Sequence, residues 1–131
     1  MVAKEKLTLI CACGSGLSYQ SCCGRYHHGE PVCDAESLMR SRYTAYAMCL
    51  ESYLLETWHP TTRPASLDLV RTPQPQWIGL NVTSHRQLDA DHATVEFVAR
   101  YKINGRASRI QEASQFVRQA GRWFYIGDAR H

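Results

Sequence analysis

Four thiols fall within 13 positions near the start of the chain. The stretch reads Cys11-Ala12-Cys13-Gly14-Ser15-Gly16-Leu17-Ser18-Tyr19-Gln20-Ser21-Cys22-Cys23-Gly24, a C-x-C pair, eight intervening residues and a vicinal C-C pair. A tetrahedral zinc takes four soft ligands at about 2.3 Å. Each short pair supplies two corners, and the eight-residue loop turns back between them. Gly14 and Gly16 let the backbone adopt positive φ and bring N–H donors toward the thiolates. Neighbouring cysteines do not readily bridge to each other, which favours ligation over a disulfide. The expected ligand set is Cys11, Cys13, Cys22 and Cys23, with His27 or His28 as an alternative to Cys23 at the fourth corner. Otherwise the two histidines belong to a solvated turn before Pro31. Cys33 and Cys49 read as ordinary part-buried thiols. Four sulfurs close the shell and leave no open position for chemistry, so the role expected of the zinc is structural. Closing such a shell contributes on the order of 10 kcal/mol, enough to shape a knuckle of about 20 residues that has almost no core of its own.

The setting of these cysteines decides between metal and disulfide. No apolar run approaches the length of a membrane span, and the longest early one, Leu7–Ala12, is too short for a signal-peptide core. A cytoplasmic location is therefore expected, where clustered cysteines mean metal. The 131 residues fit a small module followed by one domain, divided as 1–30 and 31–131. With 44 % hydrophobic and 21 % charged residues, the chain is globular rather than disordered. Its formal charge is +3, and four thiolates around a divalent ion lower that by two. So small a charge gives no case for nucleic acid as a partner.

After Pro31 the pattern is helical. Asp34 caps a helix beginning at Ala35, with Glu36 in its first turn. Met39, Tyr43, Tyr46, Leu50 and Leu54 form one face. The helix runs to about Trp58, with a break expected near Cys49–Ser52. Arg42 and Arg40 lie on the two edges of the apolar stripe. The ordinary reading of such an arginine is a snorkelling surface residue; the sharper one is a guanidinium aimed into a pocket toward a carboxylate. Trp58 is a core candidate. His59 is either a hydrogen-bonded structural residue or a general base. One more short helix is expected over residues 65–71.

From Trp77 the period becomes two, and four antiparallel strands are expected at about 77–88, 92–103, 107–118 and 122–129. Asn104-Gly105 and Ala120-Gly121 mark tight turns. The first turn sets a register that pairs Ile103 with Arg106, Tyr101 with Ser108, Ala99 with Ile110 and Phe97 with Glu112. Glu112 then falls on the apolar face, where a carboxylate must be paired, hydrogen-bonded or protonated. Arg42, Arg40 and His59 are its candidate partners, and a bulge near Ser114 would instead turn it to solvent. The other face carries Arg100, Lys102 and Arg109, either a solvated charged surface or one that meets phosphate or an acidic partner, without the aromatic interleaving of a stacking platform.

Cys11, Cys13, Gly14, Ser15, Gly16, Tyr19, Cys22 and Cys23 resemble the SEC-C motif, a zinc-binding module first recognised at the C-terminus of the SecA translocation ATPase. Ala12 stands where proline is more usual. The whole chain resembles the YchJ family of bacterial proteins. That likeness is carried by Cys11–Tyr26 with His27, Leu38-Met39-Arg40-Ser41-Arg42-Tyr43, Thr57-Trp58-His59-Pro60, Trp77-Ile78-Gly79-Leu80, Glu112-Ala113-Ser114-Gln115-Phe116 and Trp123-Phe124-Tyr125-Ile126. The resemblance implies an α+β fold, a nuclear transport factor 2-like cone whose helices pack in a bent antiparallel sheet, with an N-terminal zinc knuckle. Some family members carry a second SEC-C motif at the C-terminus; no second cysteine cluster stands before His131, so a paired grip on a partner is not expected.

Two functions follow as expectations, ahead of a third, nucleic-acid binding through the knuckle and the basic sheet face, which would show a steep loss of binding with added salt. The first is a non-enzymatic adaptor whose knuckle contacts a protein or ribosome-associated partner, as SEC-C modules do, with a small ligand in the cone pocket as a further candidate. The second is a small-molecule enzyme of isomerase, dehydratase or hydrolase type. In it Glu112 is the acid or base, His59 the proton partner and Arg42 the electrostatic support. No phosphate-cradling loop is present, because Gly14-Ser15-Gly16 lacks the lysine and following helix of a P-loop. Oligomeric state is not encoded in any motif of the chain.

Overall fold

The computed structural model describes residues 9–70 and 73–129. Residues 7 and 8 of the early apolar stretch, and residue 71 of the expected short helix, lie outside them. Helix α1 spans Cys23–His27, α2 spans Ala35–Ala47 and α3 spans Glu51–Glu56. The strands are β1 (Gln76–Asp89), β2 (His92–Ile103), β3 (Arg106–Gln119) and β4 (Arg122–Asp128).

Helix α2 starts where its cap dictates. The Asp34 carboxylate accepts the Ser37 backbone N–H at 2.8 Å, satisfying one of the orphan donors of the first turn. The helix ends because Cys49 takes a left-handed φ of 58°, a conformation costing a non-glycine residue about 1 kcal/mol. The Leu50 N–H folds back onto the Ala45 carbonyl at 2.8 Å, and the chain re-enters helix as α3. Helical structure stops at Glu56, before the expected Trp58. Thr57 and His59 pair instead with β4, Tyr125 N–H donating to the Thr57 carbonyl and His59 N–H to the Tyr125 carbonyl, each at 2.8 Å. This short parallel tie covers part of the outer edge of β4. Residues 65–70 form no helix, contrary to expectation. Among them Leu67 N–H is held by the Glu51 carboxylate at 2.7 Å, a side-chain anchor in place of helical pairing.

The four strands form one antiparallel meander in the order β1-β2-β3-β4. Asn104 and Gly105 have φ of 53° and 78°, and Ala120 and Gly121 have φ of 54° and 78°. Left-handed backbone at both central positions matches the right-handed twist of the strands they join. The β2–β3 register is the expected one, with Ala99 opposite Ile110 and Phe97 opposite Glu112. That pairing is unbroken past Ser114. The irregularity in this region falls between β3 and β4, where Phe116 meets Tyr125 and Gln115 meets Gly127, so Ile126 is the extra residue. Glu112 accordingly stays on the apolar face.

Side chains from that face (Ala93, Val95, Ala99, Phe116 and Trp123) bury against Leu38, Met39 and Tyr43 of α2. The four clustered cysteines belong to the same buried group. The knuckle therefore packs against α2 and the sheet. No helix among the described residues is long and apolar enough to cross a membrane.

Candidate functional site

The knuckle is built by a small hairpin and two helical turns. Ile10 bridges to Ser18, the Cys11 N–H donates to the Leu17 carbonyl at 2.8 Å, and the Tyr19 N–H donates to the Leu9 carbonyl at 2.9 Å. Gly14 and Gly16, at φ of 85° and 86°, carry the loop through the left-handed region. Gly24 is required for a different reason: a β-carbon there would lie 2.8 Å from the Tyr19 carbonyl oxygen.

These elements bring the sulfurs of Cys11, Cys13, Cys22 and Cys23 within 4.8 Å of one another, all four buried. None is in a disulfide. A regular tetrahedron with 2.3 Å metal–sulfur bonds has edges of about 3.8 Å. The Cys13–Cys22 and Cys22–Cys23 separations of 3.6 and 4.0 Å fall on either side of that value. The donor set therefore fits a metal ion. Without a cation the sulfurs cannot all ionise. Thiol donors from Cys13 and Cys23 pull the Cys11 thiol well down, while the bonds Cys23 makes to Cys11 and Cys13 push its own thiol up. Burial, first among several causes, pushes Cys22 up. A divalent ion removes this competition by taking all four as thiolates.

The histidines weighed for the fourth corner are occupied elsewhere. His27 donates from Nε2 to the Ser41 carbonyl at 2.8 Å and accepts at Nδ1 from the Tyr19 hydroxyl at 2.6 Å. His28 donates from Nδ1 to the Gly24 carbonyl at 2.6 Å. Cys33 is exposed and Cys49 half-buried, and both stand apart from the cluster.

The groups around the sulfurs are mostly ones that sequence reasoning missed. Thr44 of α2 donates its hydroxyl to the Cys23 sulfur at 3.4 Å and lies 3.7 Å from that of Cys11. The Ser15 hydroxyl is 3.1 Å from the Cys22 sulfur. Arg40 donates to the Cys13 carbonyl at 2.9 Å and to the Glu36 carboxylate at 3.0 Å. A cation thus stands beside a cluster that keeps a net charge of −2 with a divalent ion bound. The signal was a pair of polar residues one turn apart, Arg40 and Thr44, whose side chains contact the knuckle; Ser41 meets it through its backbone carbonyl. Arg40 is therefore not a partner of Glu112.

A second candidate site lies between α2 and the sheet. This cavity of about 280 Å³ is lined by Tyr46, Trp77, Phe97 and Tyr125, with Arg42 and Glu112 among its walls. Arg42 is neither a snorkelling residue nor salt-bridged. It is 5 % exposed, and its Nη1 donates to the Leu54 carbonyl at 2.8 Å and the Thr57 hydroxyl at 2.7 Å. Its guanidinium also lies over the rings of Tyr125 at 4.4 Å and Trp58 at 5.0 Å. Glu112 instead accepts from two hydroxyls, Ser114 and Tyr125, the latter at 3.0 Å, both on Oε2. Burial and the neighbouring Glu112 push the Tyr125 hydroxyl up, which keeps it a donor.

The three residues proposed as a catalytic set are not brought together. Arg42 and Glu112 share this cavity; His59 lines a different one, with Phe116 and Ile126. Its ring is held by Thr61 at 2.7 Å and by Gln119 at 2.6 Å. The cause is the backbone tie of His59 to Tyr125, which fixes the direction in which the ring leaves the chain. No pattern along the sequence encodes that tie.

A family model described as the middle NTF2-like domain of YchJ matches residues 34–128. A UPF0225 protein of Cupriavidus pinatubonensis is 52 % identical over 123 residues, covering 88 % of this chain and 85 % of that one. A UPF0225 protein of Bordetella pertussis is 48 % identical over 124 residues, covering 92 % of each. Among solved structures, a SEC-C motif containing protein from Rhodopseudomonas palustris superposes with a TM-score of 0.78 at 34 % identity, over 88 % of this chain and 94 % of that one. A SEC-C motif containing protein from Psychrobacter arcticus gives 0.80 at 27 % identity, over 95 % and 84 %.

Proposed function

This chain belongs to the YchJ (UPF0225) family, and from that premise we propose that it is a cytoplasmic zinc-bearing adaptor. Zinc held by Cys11, Cys13, Cys22 and Cys23 shapes the knuckle, and the knuckle docks on a protein or ribosome-associated partner. Zinc is the ion of choice because four buried thiolates near tetrahedral spacing suit a soft, redox-inert cation with no open coordination position.

The observation that carries the docking role is an exposed apolar trio on the knuckle hairpin. Leu9, Ile10 and Leu17 are 62 %, 63 % and 51 % exposed, although they flank a fully buried cluster. The backbone pairing of residues 9–11 with 17–19 carries all three on one small hairpin. Because each is only half to two-thirds exposed, covering it would contribute about 1–2 kcal/mol, enough in sum to anchor a partner with an apolar patch of its own. The cation beside the cluster and the hydroxyls on its sulfurs serve to fix this surface. The separation of His59 from Glu112 and Arg42 means that the particular acid–base set expected for the enzymatic alternative is not assembled.

The test is a pulldown that compares the wild-type chain with a Leu9→Asp/Ile10→Asp/Leu17→Asp variant, zinc content being measured on both. The expected result is equal zinc and loss of the partners that the wild type retains. Equal zinc with an unchanged set of partners would contradict the docking role.

A further inference from the structure

We propose that the cavity between α2 and the sheet is a binding site for a small, flat, uncharged aromatic molecule carrying one N–H or O–H donor, of the indole or phenol class. This inference does not depend on the adaptor reading.

Size sets the first limit. At about 280 Å³ the cavity lies at the small end of small-molecule sites, which suits a one- or two-ring molecule of about ten heavy atoms. The walls set the second. Trp77 stands edge-on to Tyr43, with ring centroids 5.7 Å apart, and tilted to Tyr46 at 6.3 Å, while Phe97 and Tyr125 close other sides. Aromatic walls at these mutual angles favour a ring that can stack on one and meet another at its edge.

Charge then separates the ligand classes. Aromatic walls with a carboxylate suggest an organic cation, but a buried guanidinium that is always ionised lines the same space. Arg42 opposes a cation as Glu112 opposes an anion, so a neutral molecule is the one that loses least on leaving water. The hydrogen-bond pattern supplies polarity. Ser114 and Tyr125 both donate to Oε2 of Glu112, and Oε1 is the acceptor that this pair leaves over. Glu112 is half-buried and lines the cavity, which makes Oε1 the acceptor offered to a ligand N–H or O–H. No bond is made or broken in the bound molecule; the site is one of recognition.

The experiment is an NMR titration of the full chain with indole, N-methylindole, benzylammonium and benzoate. Indole is expected to bind with a Kd of about a millimolar or tighter, moving resonances of Trp77, Phe97 and Tyr125. N-methylindole, lacking the donor, should bind about tenfold more weakly, and Glu112→Leu should weaken indole by a similar factor without affecting N-methylindole. Ala99→Leu, which fills the cavity from a buried position on β2, should abolish binding. Tighter binding of benzylammonium or benzoate than of indole would overturn the charge argument. Equal binding of indole and N-methylindole to the wild type would overturn the role of Oε1, with no variant needed. No shift at the cavity with any probe, or indole binding unchanged in Ala99→Leu, would overturn the site itself.

Discussion

Replacing Thr44 with valine asks how far the sulfur cluster depends on the helix beneath it. Valine keeps the branch, the volume and the helical rotamer, and removes one hydroxyl. That hydroxyl is fully buried, donates to the Cys23 sulfur at 3.4 Å and lies 3.7 Å from the Cys11 sulfur. With an ion bound, both sulfurs are thiolates, and a hydrogen bond to a charged acceptor contributes about 1.5–3 kcal/mol. No water can take its place in a packed interior. The loss corresponds to about a tenfold to hundredfold weaker metal affinity, the range found when outer partners of metal ligands are removed. The Ser15 hydroxyl, 3.1 Å from the Cys22 sulfur, is the internal control. Ser15 is exposed, so water replaces its donor, and Ser15→Ala should cost less than about threefold. Competition against a chromophoric zinc chelator measures both. Unchanged affinity in Thr44→Val, or a larger loss in Ser15→Ala than in Thr44→Val, would show that the buried hydroxyl does not hold the cluster.

Arg42→Met should destabilise the fold by about 3 kcal/mol in urea denaturation, because two hydrogen bonds to buried acceptors and two ring contacts are lost together. A loss below about 1 kcal/mol would mean that the guanidinium is dispensable. The pH dependence follows from His27, which burial holds below its ordinary value of 6.5. The unfolded chain takes up this proton first as pH falls, so the stability due to neutral His27 is complete above pH 6.5 and lost progressively below it. Denaturation midpoints between about pH 5 and 7.5 should therefore fall more steeply for the wild type than for His27→Gln; parallel curves would contradict the assignment.

What could be read from the chain was whatever depends on short-range pattern. The hairpins were legible because Asn104-Gly105 fixes both turn and register, and the register alone places Glu112 beside Phe97. The cysteine cluster was legible because four soft ligands in two close pairs have few other uses. What could not be read depends on contacts distant in sequence. Arg42 lies on a stripe edge where solvent and core are equally consistent with periodicity. Its burial is decided by Trp58 and Tyr125, which meet only when the segment after α3 pairs with β4. The same pairing turns His59 toward Gln119 and away from Glu112. Thr44 reads as a neutral helical residue until the knuckle is laid against α2. The expected helix over residues 65–71 failed where side chains from outside the segment take the backbone of residues 65–70, Glu51 accepting from the Leu67 N–H and Gln74 donating to the Leu69 carbonyl.

Whether the four thiols hold zinc is decided by metal analysis of the protein purified under reducing conditions without added zinc. One zinc per chain is expected, and its loss when Cys22 and Cys23 are both replaced by serine. Material that is folded, reduced and free of stoichiometric metal would contradict it.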